Sequence, residues 1–243
     1  MVSKIIFNAD DFALTSDITS AIIESHKNGV VMSTTVLGNA DSKLLEEASE
    51  LSKQNPKLGV GAHLVLTTRK PILSTHTTLV DQAGFFNLSS NSLSSEISLE
   101  EVYEEWKAQL TRLKEYFDLT HIDSHHHVHL DPRINKIARR LGREFKLPLR
   151  SLRDNFPKEV KADLGFYKET VTLDYLINLM SKQKGLVEVM VHPGYDSDVF
   201  LHEISSYTAD REKELEILTS PELKDYIKEN NIQLVNYGFI KLK

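Results

Sequence analysis

Lys4-Ile5-Ile6-Phe7-Asn8-Ala9-Asp10-Asp11-Phe12 reads as a buried β-strand that runs directly into two adjacent carboxylates. Outward from it, short β-branched segments alternate with amphipathic ones almost throughout, the pattern expected when helices cover a parallel sheet. About seven strands are expected, near residues 4–9, 30–37, 58–66, 119–123, 147–152, 186–191 and 232–237. Caps mark the helices between them: Asp41 before Leu44-Leu45, Ser98 with Glu101 as a capping box, Asp131 followed by Pro132, and Ser220 followed by Pro221. If the strands close into a barrel, catalytic groups should emerge at their C-terminal ends. Four segments aim polar groups at one such rim: Asp10-Asp11, His63, the histidines from His125, and His192-Pro193-Gly194-Tyr195. The fold class is therefore α/β, with helices covering a parallel sheet.

The 243 residues suit a single domain spanning 1–243, because α/β barrels routinely reach this length undivided. No apolar run approaches the ~20 residues of a membrane span, and Met1-Val2-Ser3-Lys4 lacks the features of a signal peptide, so the expectation is a cytoplasmic protein without a membrane partner. With no cysteine, disulfides, thiolate ligands and a Cys nucleophile are excluded, and any metal must be held by histidine or oxygen. A net charge of -6 lacks the basic footprint of a nucleic-acid binder. Two stretches break the rhythm. Residues 67–97, rich in Ser and Thr, are too long for an ordinary connection and read as an active-site insertion. Residues 154–170 read as irregular, with Phe166-Tyr167 either lining a groove or packing beneath a loop.

His121-Ile122-Asp123-Ser124-His125-His126-His127-Val128-His129 packs five of ten histidines into nine positions, a density that points to a metal centre. In an extended segment, His125, His127 and His129 would share one side and His126 the other, which leaves outer-sphere or substrate roles for some. Asp123 could orient a ring nitrogen. The Asp10-Asp11 pair is either a turn cap or a ligand beside a general base. His63 alone would be a hydrogen-bonded core histidine, and only its company makes it a ligand candidate. His192 is turn chemistry or a proton donor to a leaving amine, Tyr195 a substrate contact or a turn cap, and Arg153 a surface ion pair or an orienting partner for substrate.

Taken together and in order, these segments resemble the YdjC family of carbohydrate deacetylases. The resemblance also rests on Gly61-Ala62-His63-Leu64, Glu188-Val189-Met190-Val191-His192-Pro193-Gly194-Tyr195, Ser205-Ser206-Tyr207 with Arg211, Leu218-Thr219-Ser220-Pro221-Glu222-Leu223 and Leu234-Val235-Asn236-Tyr237. It implies that the α/β fold is an irregular (β/α) barrel of about seven parallel strands related to NodB-type polysaccharide deacetylases, removal of N-acetyl groups from amino sugars or chitooligosaccharides, and a homodimer. It also implies metal ligation by Asp11, His63 and His125 with Asp10 as base. His192 is then the acid, with His127, His129, Arg153 and Tyr195 toward the acetylated sugar. The resemblance points to magnesium (Mg2+), whereas one carboxylate and two imidazoles suit zinc (Zn2+) as the rival. Two departures stand out. Ala13 occupies a position where the family has glycine, which argues against a left-handed backbone there. Ala62 is smaller than the usual apolar residue, which points to a changed pocket shape. Other classes stay open on the residues alone: a different metal-dependent amidohydrolase or phosphoesterase, which would use more metals and carboxylates, or a non-catalytic sugar-binding relative.

Overall fold

The computed structural model describes residues 3–88, 97–240 and 242, so residues 89–96 of the expected insertion lie outside the described residues. Seven parallel strands close a ring in the order β2–β3–β4–β5–β6–β7–β1 and back to β2. They are β1 (Lys4–Phe12), β2 (Ser33–Leu37), β3 (Gly59–Leu64), β4 (Ile122–Ser124), β5 (Leu149–Ser151), β6 (Glu159–Asp163) and β7 (Leu186–Val191). The barrel is the expected one, but its membership differs. The expected strand at 232–237 is a two-residue β8 (Gln233–Leu234) that pairs only with Lys4 and Ile5, below the point where β2 joins β1. Its place in the ring is taken by β6, inside the stretch read as irregular. The reason is physical. No helix lies between β5 and β6, so Lys161 faces solvent, and only Val160 and Ala162 supply apolar character. A strand without a helical cover lacks the continuous apolar run that marks its neighbours.

Alternation along the covered strands sorts side chains into two environments. Ile5, Phe7 and Ala9, Val60, Ala62 and Leu64, and Val187, Val189 and Val191 pack in the main core, beneath helices that include α1 (Ser16–Asn28), α2 (Ser42–Gln54), α3 (Leu99–Leu113) and α4 (Ile134–Phe145). Ala62 therefore faces the helices and not the pocket, contrary to the expected effect on pocket shape. The remaining helices are α5 (Leu173–Lys182), α6 (Val199–Ile204), α7 (Ala209–Thr219) and α8 (Pro221–Glu229). Among the described residues no helix is long and apolar enough to cross a membrane. Inside the ring, a small apolar floor of Ile6, Val160, Tyr237 and Ile240 closes the lower end. His121 stacks on Tyr237 with ring centroids 3.7 Å apart. Gly61 makes room for that imidazole, since a Cβ there would lie 2.3 Å from the ring.

The β1–β2 register is interrupted at the point that matters most. Ala9 pairs with Thr34 and Phe12 with Val36, so Asp10 and Asp11 together oppose Thr35 in a β-bulge. Asp11 absorbs the extra residue with φ 73°, and Ala13 follows at φ 64°. The left-handed backbone that alanine argued against is therefore present. It is held by the hydrogen bond from the Ala13 N–H to Thr19 Oγ1 at 3.1 Å. An L-residue with a Cβ is strained there, so Ala13→Gly is expected to raise stability by up to about 1 kcal/mol, read as a higher denaturant midpoint at unchanged slope. An unchanged or lower midpoint would mean that burial of the alanine methyl outweighs the strain.

The insertion is strapped to α3. Buried Glu105 accepts the backbone N–H groups of Ile72 and Leu73 and a bond from His76 Nε2, while Glu101 accepts the N–H and hydroxyl groups of both Thr77 and Thr78. Glu101 is thus diverted from the capping box expected with Ser98. Ser98 still caps the Glu101 N–H at 3.3 Å. The strap leaves Thr67 and Thr68, at the root of the insertion, on the wall of the cavity described next.

Candidate metal and proton-transfer site

A cavity of about 580 Å³ opens at the C-terminal ends of the strands. Asp10, Asp11, His63, His125, His127 and His192 all line it. At its base, Asp11 Oδ1 lies 3.0 Å from His125 Nδ1 and 3.4 Å from His63 Nε2. One donor atom from each of these three residues can be chosen so that all lie within 4.8 Å of one another. The other ring nitrogen of His63 meets Asp123 Oδ1 at 2.6 Å, which fixes the ring and leaves Nε2 toward Asp11. Burial alone would disfavour a charged His63, yet the charge of Asp123 and the bonds to Asp11 and Asp123 raise its pKa to about 10. The surroundings thus favour positive charge at that spot, as a cation would require.

Asp10 faces a different partner. Arg150 Nη1 and Nη2 grip its two oxygens at 2.6 and 2.5 Å. The same guanidinium reaches Asp123 Oδ2 at 2.9 Å and, through Nε, Glu188 Oε1 at 2.7 Å. Burial opposes ionisation of Asp10, but the Arg150 charge and hydrogen bonds outweigh it and hold the carboxyl well below its usual range. Asp11 is likewise held low against burial, first by Arg211, whose Nη2 donates to Asp11 Oδ2 at 2.6 Å, and then by His125. The bulge allows this division, because the two neighbouring carboxylates enter one cavity but meet different arginines.

Near the opposite wall, His192 follows β7. Its Nε2 lies 3.9 Å from Asp10 Oδ2, and its backbone N–H donates to Glu214 Oε2 at 2.5 Å. Burial, with Arg211 adding to it and Asp10 opposing, lowers the His192 pKa to about 4. Tyr207 lies edge-on to His192 at 5.9 Å and carries Tyr167 stacked on it at 4.4 Å.

The histidine run does not alternate. His125–Leu130 forms a tight turn with His126 at φ 51° and His127 at φ 56°, so His125, His126 and His127 all line the cavity. Burial, followed by the charge of Arg150 for His127 and of His125 for His126, lowers these two imidazoles to about 3 and 4. Three expected residues are not brought to the cavity. His129 is fully buried and bonded through Nδ1 to Ser124 Oγ at 2.6 Å. Arg153 is exposed on the loop after β5. Tyr195 gives its hydroxyl to Glu24 Oε2 at 2.8 Å. Among the groups that do shape the site, Arg150 and Glu214 were not singled out in the sequence, and Arg211 was noted without a role. Each carried a signal: Arg150 sits in the short strand Leu149–Ser151, while Arg211 and Glu214 share the buried stripe of α7 with Leu215 and Leu218.

Residues 4–229 match the model of the YdjC-like protein family. A carbohydrate deacetylase from Brevibacillus brevis is 37% identical, with 97% of this chain and 98% of the relative covered. The crystal structure of an Enterococcus faecalis V583 protein, provisionally described as a cellobiose-phosphate cleavage protein, superposes with a TM-score of 0.91 at 35% identity and covers 100% of both chains. A family 4 carbohydrate esterase from Streptomyces lividans shares the fold alone, with a TM-score of 0.51 at 9% identity over 96% of this chain and 91% of that one. With its barrel, its ordered motifs and nearly its whole length matched, the chain belongs to the YdjC-like family.

Proposed function

We propose that this protein is a metal-dependent carbohydrate deacetylase that hydrolyses the N-acetyl group of an acetylated amino sugar or oligosaccharide, such as a chitooligosaccharide, and releases acetate. The observation that carries the reading is the grouping of Asp11, His63 and His125 beside an Arg-held Asp10 and His192 in one cavity. Relatives named carbohydrate deacetylase at full length support it. Because Asp10 and Arg211 come from opposite ends of the sequence, residues 1–243 act as one domain in this reading.

Asp11, His63 and His125 fit a divalent ion by donor chemistry: one carboxylate oxygen and two imidazole nitrogens, with the field at His63 already favouring a cation. Magnesium follows from the family resemblance and zinc from the two nitrogen donors. Such an ion supplies Lewis acidity toward the acetamide carbonyl and a lowered pKa for water. Asp10 stays ionised under the grip of Arg150 and takes a proton from the attacking water. His192 then faces the departing nitrogen and donates to it. Among the described residues, the other group of donors that could hold a second cation, as in many phosphoesterases, is Asp10, His63 and Asp123, but Arg150 already bonds both of those carboxylates.

The test is acetate release from the doubly acetylated β-1,4 glucosamine disaccharide by metal-stripped protein, with and without magnesium, zinc or cobalt. Release that depends on added metal is expected, and the most active ion identifies the cofactor. Silence with every metal would overturn the chitooligosaccharide as substrate and move the search to other acetylated or phosphorylated sugars.

A further inference from the structure

Glu214 is fully buried on α7, and the mechanism above leaves it unused. Its Oε2 accepts the His192 backbone N–H at 2.5 Å, and its Oε1 accepts the Tyr207 hydroxyl at 2.5 Å. The same Oε1 stands 3.9 Å from His192 Nδ1, a buried nitrogen with no hydrogen-bond partner among the described residues. A buried polar atom left unpaired is costly, and a small rotation of the imidazole would give it Glu214. On its other side the ring presents Nε2 to Asp10 at 3.9 Å. The imidazole therefore hangs between two carboxylates.

The geometry points to Glu214 as a positioning residue that orients His192 and supplies, at Nδ1, the proton that replaces the one His192 gives from Nε2 to the departing nitrogen, a role that rests on the deacetylase reading. The charged and titratable groups around the pair are Arg211, Tyr207 and Asp10 near Glu214, and Asp10, Asp11, Arg211, Arg150, His127, Tyr207 and Tyr167 around His192. Burial pushes Glu214 up to about 8 and His192 down to about 4, so at neutral pH Glu214 carries an acid proton beside a neutral imidazole whose single N–H, with Nδ1 bare, is on Nε2. With the acid proton on Oε1, it faces Nδ1. As the C–N bond breaks, the leaving nitrogen takes the proton of His192 Nε2, and Nδ1 takes the proton of Glu214, which becomes a carboxylate. The site resets when the proton that Asp10 received from water moves to Nε2 and the Nδ1 proton returns to Glu214.

The experiment compares wild type, Glu214→Gln and Glu214→Ala, each loaded with metal, on two substrates: an N-acetylated amino sugar, and p-nitrophenyl acetate, whose leaving group departs without a proton. In parallel, 15N NMR follows the His192 ring, assigned by its loss in His192→Gln. Glu214→Gln is expected to lower kcat on the amide by about 100-fold with KM unchanged, while ester hydrolysis persists. The Nδ1 signal should change between wild type and Glu214→Gln. Equal loss on both substrates would make Glu214 purely structural and overturn the role, as would an amide rate that survives in Glu214→Gln. If the wild type cleaves no sugar amide, the deacetylase reading fails on its own. The NMR comparison then decides: an Nδ1 signal indifferent to Glu214→Gln overturns the pairing, and one that shifts sustains it.

Discussion

Replacing Arg150 by methionine is expected to destabilise the fold by about 3–5 kcal/mol and to abolish turnover, because removing one partner of a buried ion pair leaves the other charges uncompensated. Here one guanidinium, itself 1% exposed, serves Asp10, Asp123 and Glu188. Methionine fills similar volume, so cavity formation contributes little and the loss is electrostatic. The effect has a pH signature. In the wild type, the Asp10 pKa is depressed from 3.8, so its contribution to stability is present above that value and is lost as pH falls toward the folded pKa. Without Arg150 the buried carboxylates resist ionisation, and the variant suffers most where the unfolded chain is fully ionised. The deficit measured by urea unfolding should therefore be largest near pH 7 and narrow below about pH 4. A deficit under about 1 kcal/mol, or one independent of pH, would mean that these carboxylates find compensation elsewhere.

His125→Ala and Asp10→Asn are expected to fail in different ways. His125→Ala removes one of three candidate donors, so bound metal, counted by elemental analysis, and acetate release should disappear together. Asp10→Asn keeps the three donors and a group that can still accept from Arg150, but it removes the acceptor for the water's proton. Metal content should hold near the wild-type value while kcat drops by about 100- to 10,000-fold. Metal lost from Asp10→Asn would instead place Asp10 among the ligands, and turnover retained by His125→Ala would remove His125 from the centre.

Much of the barrel was legible because covered parallel strands carry apolar runs and their ends carry polar groups. Lys4–Phe12 and Leu186–Val191 show both marks. The strand Glu159–Asp163 lacked the first, since nothing covers its outer face, and was invisible for that reason. The grouping of Asp10, Asp11, His63, His125 and His192 at one rim followed from strand polarity alone. The contributions of Arg150 and Glu214 did not, because each depends on a partner more than twenty residues away: Asp10 for the first, His192 for the second. His129 and His127 show the limit of periodicity. A rule of two assigned them one side, but left-handed torsions at His126 and His127 turned the run into a knot of three pocket residues and one buried strut.

The bulge in β1 shows how little chemistry need separate two tasks. Asp10 and Asp11 are the same amino acid, one peptide apart. On a regular strand one of them would lie among hydrocarbon under the helices. The extra residue opposite Thr35 acts as a shift of reading frame: even-numbered positions point inward before it, and Phe12 returns to the outer layer after it. What assigns one carboxylate to Arg150 and the other to Arg211 is a backbone torsion at Asp11, not a difference in side chain. Deleting either aspartate would therefore do more than remove an acid. It would restore the frame and leave the surviving carboxylate to a single address.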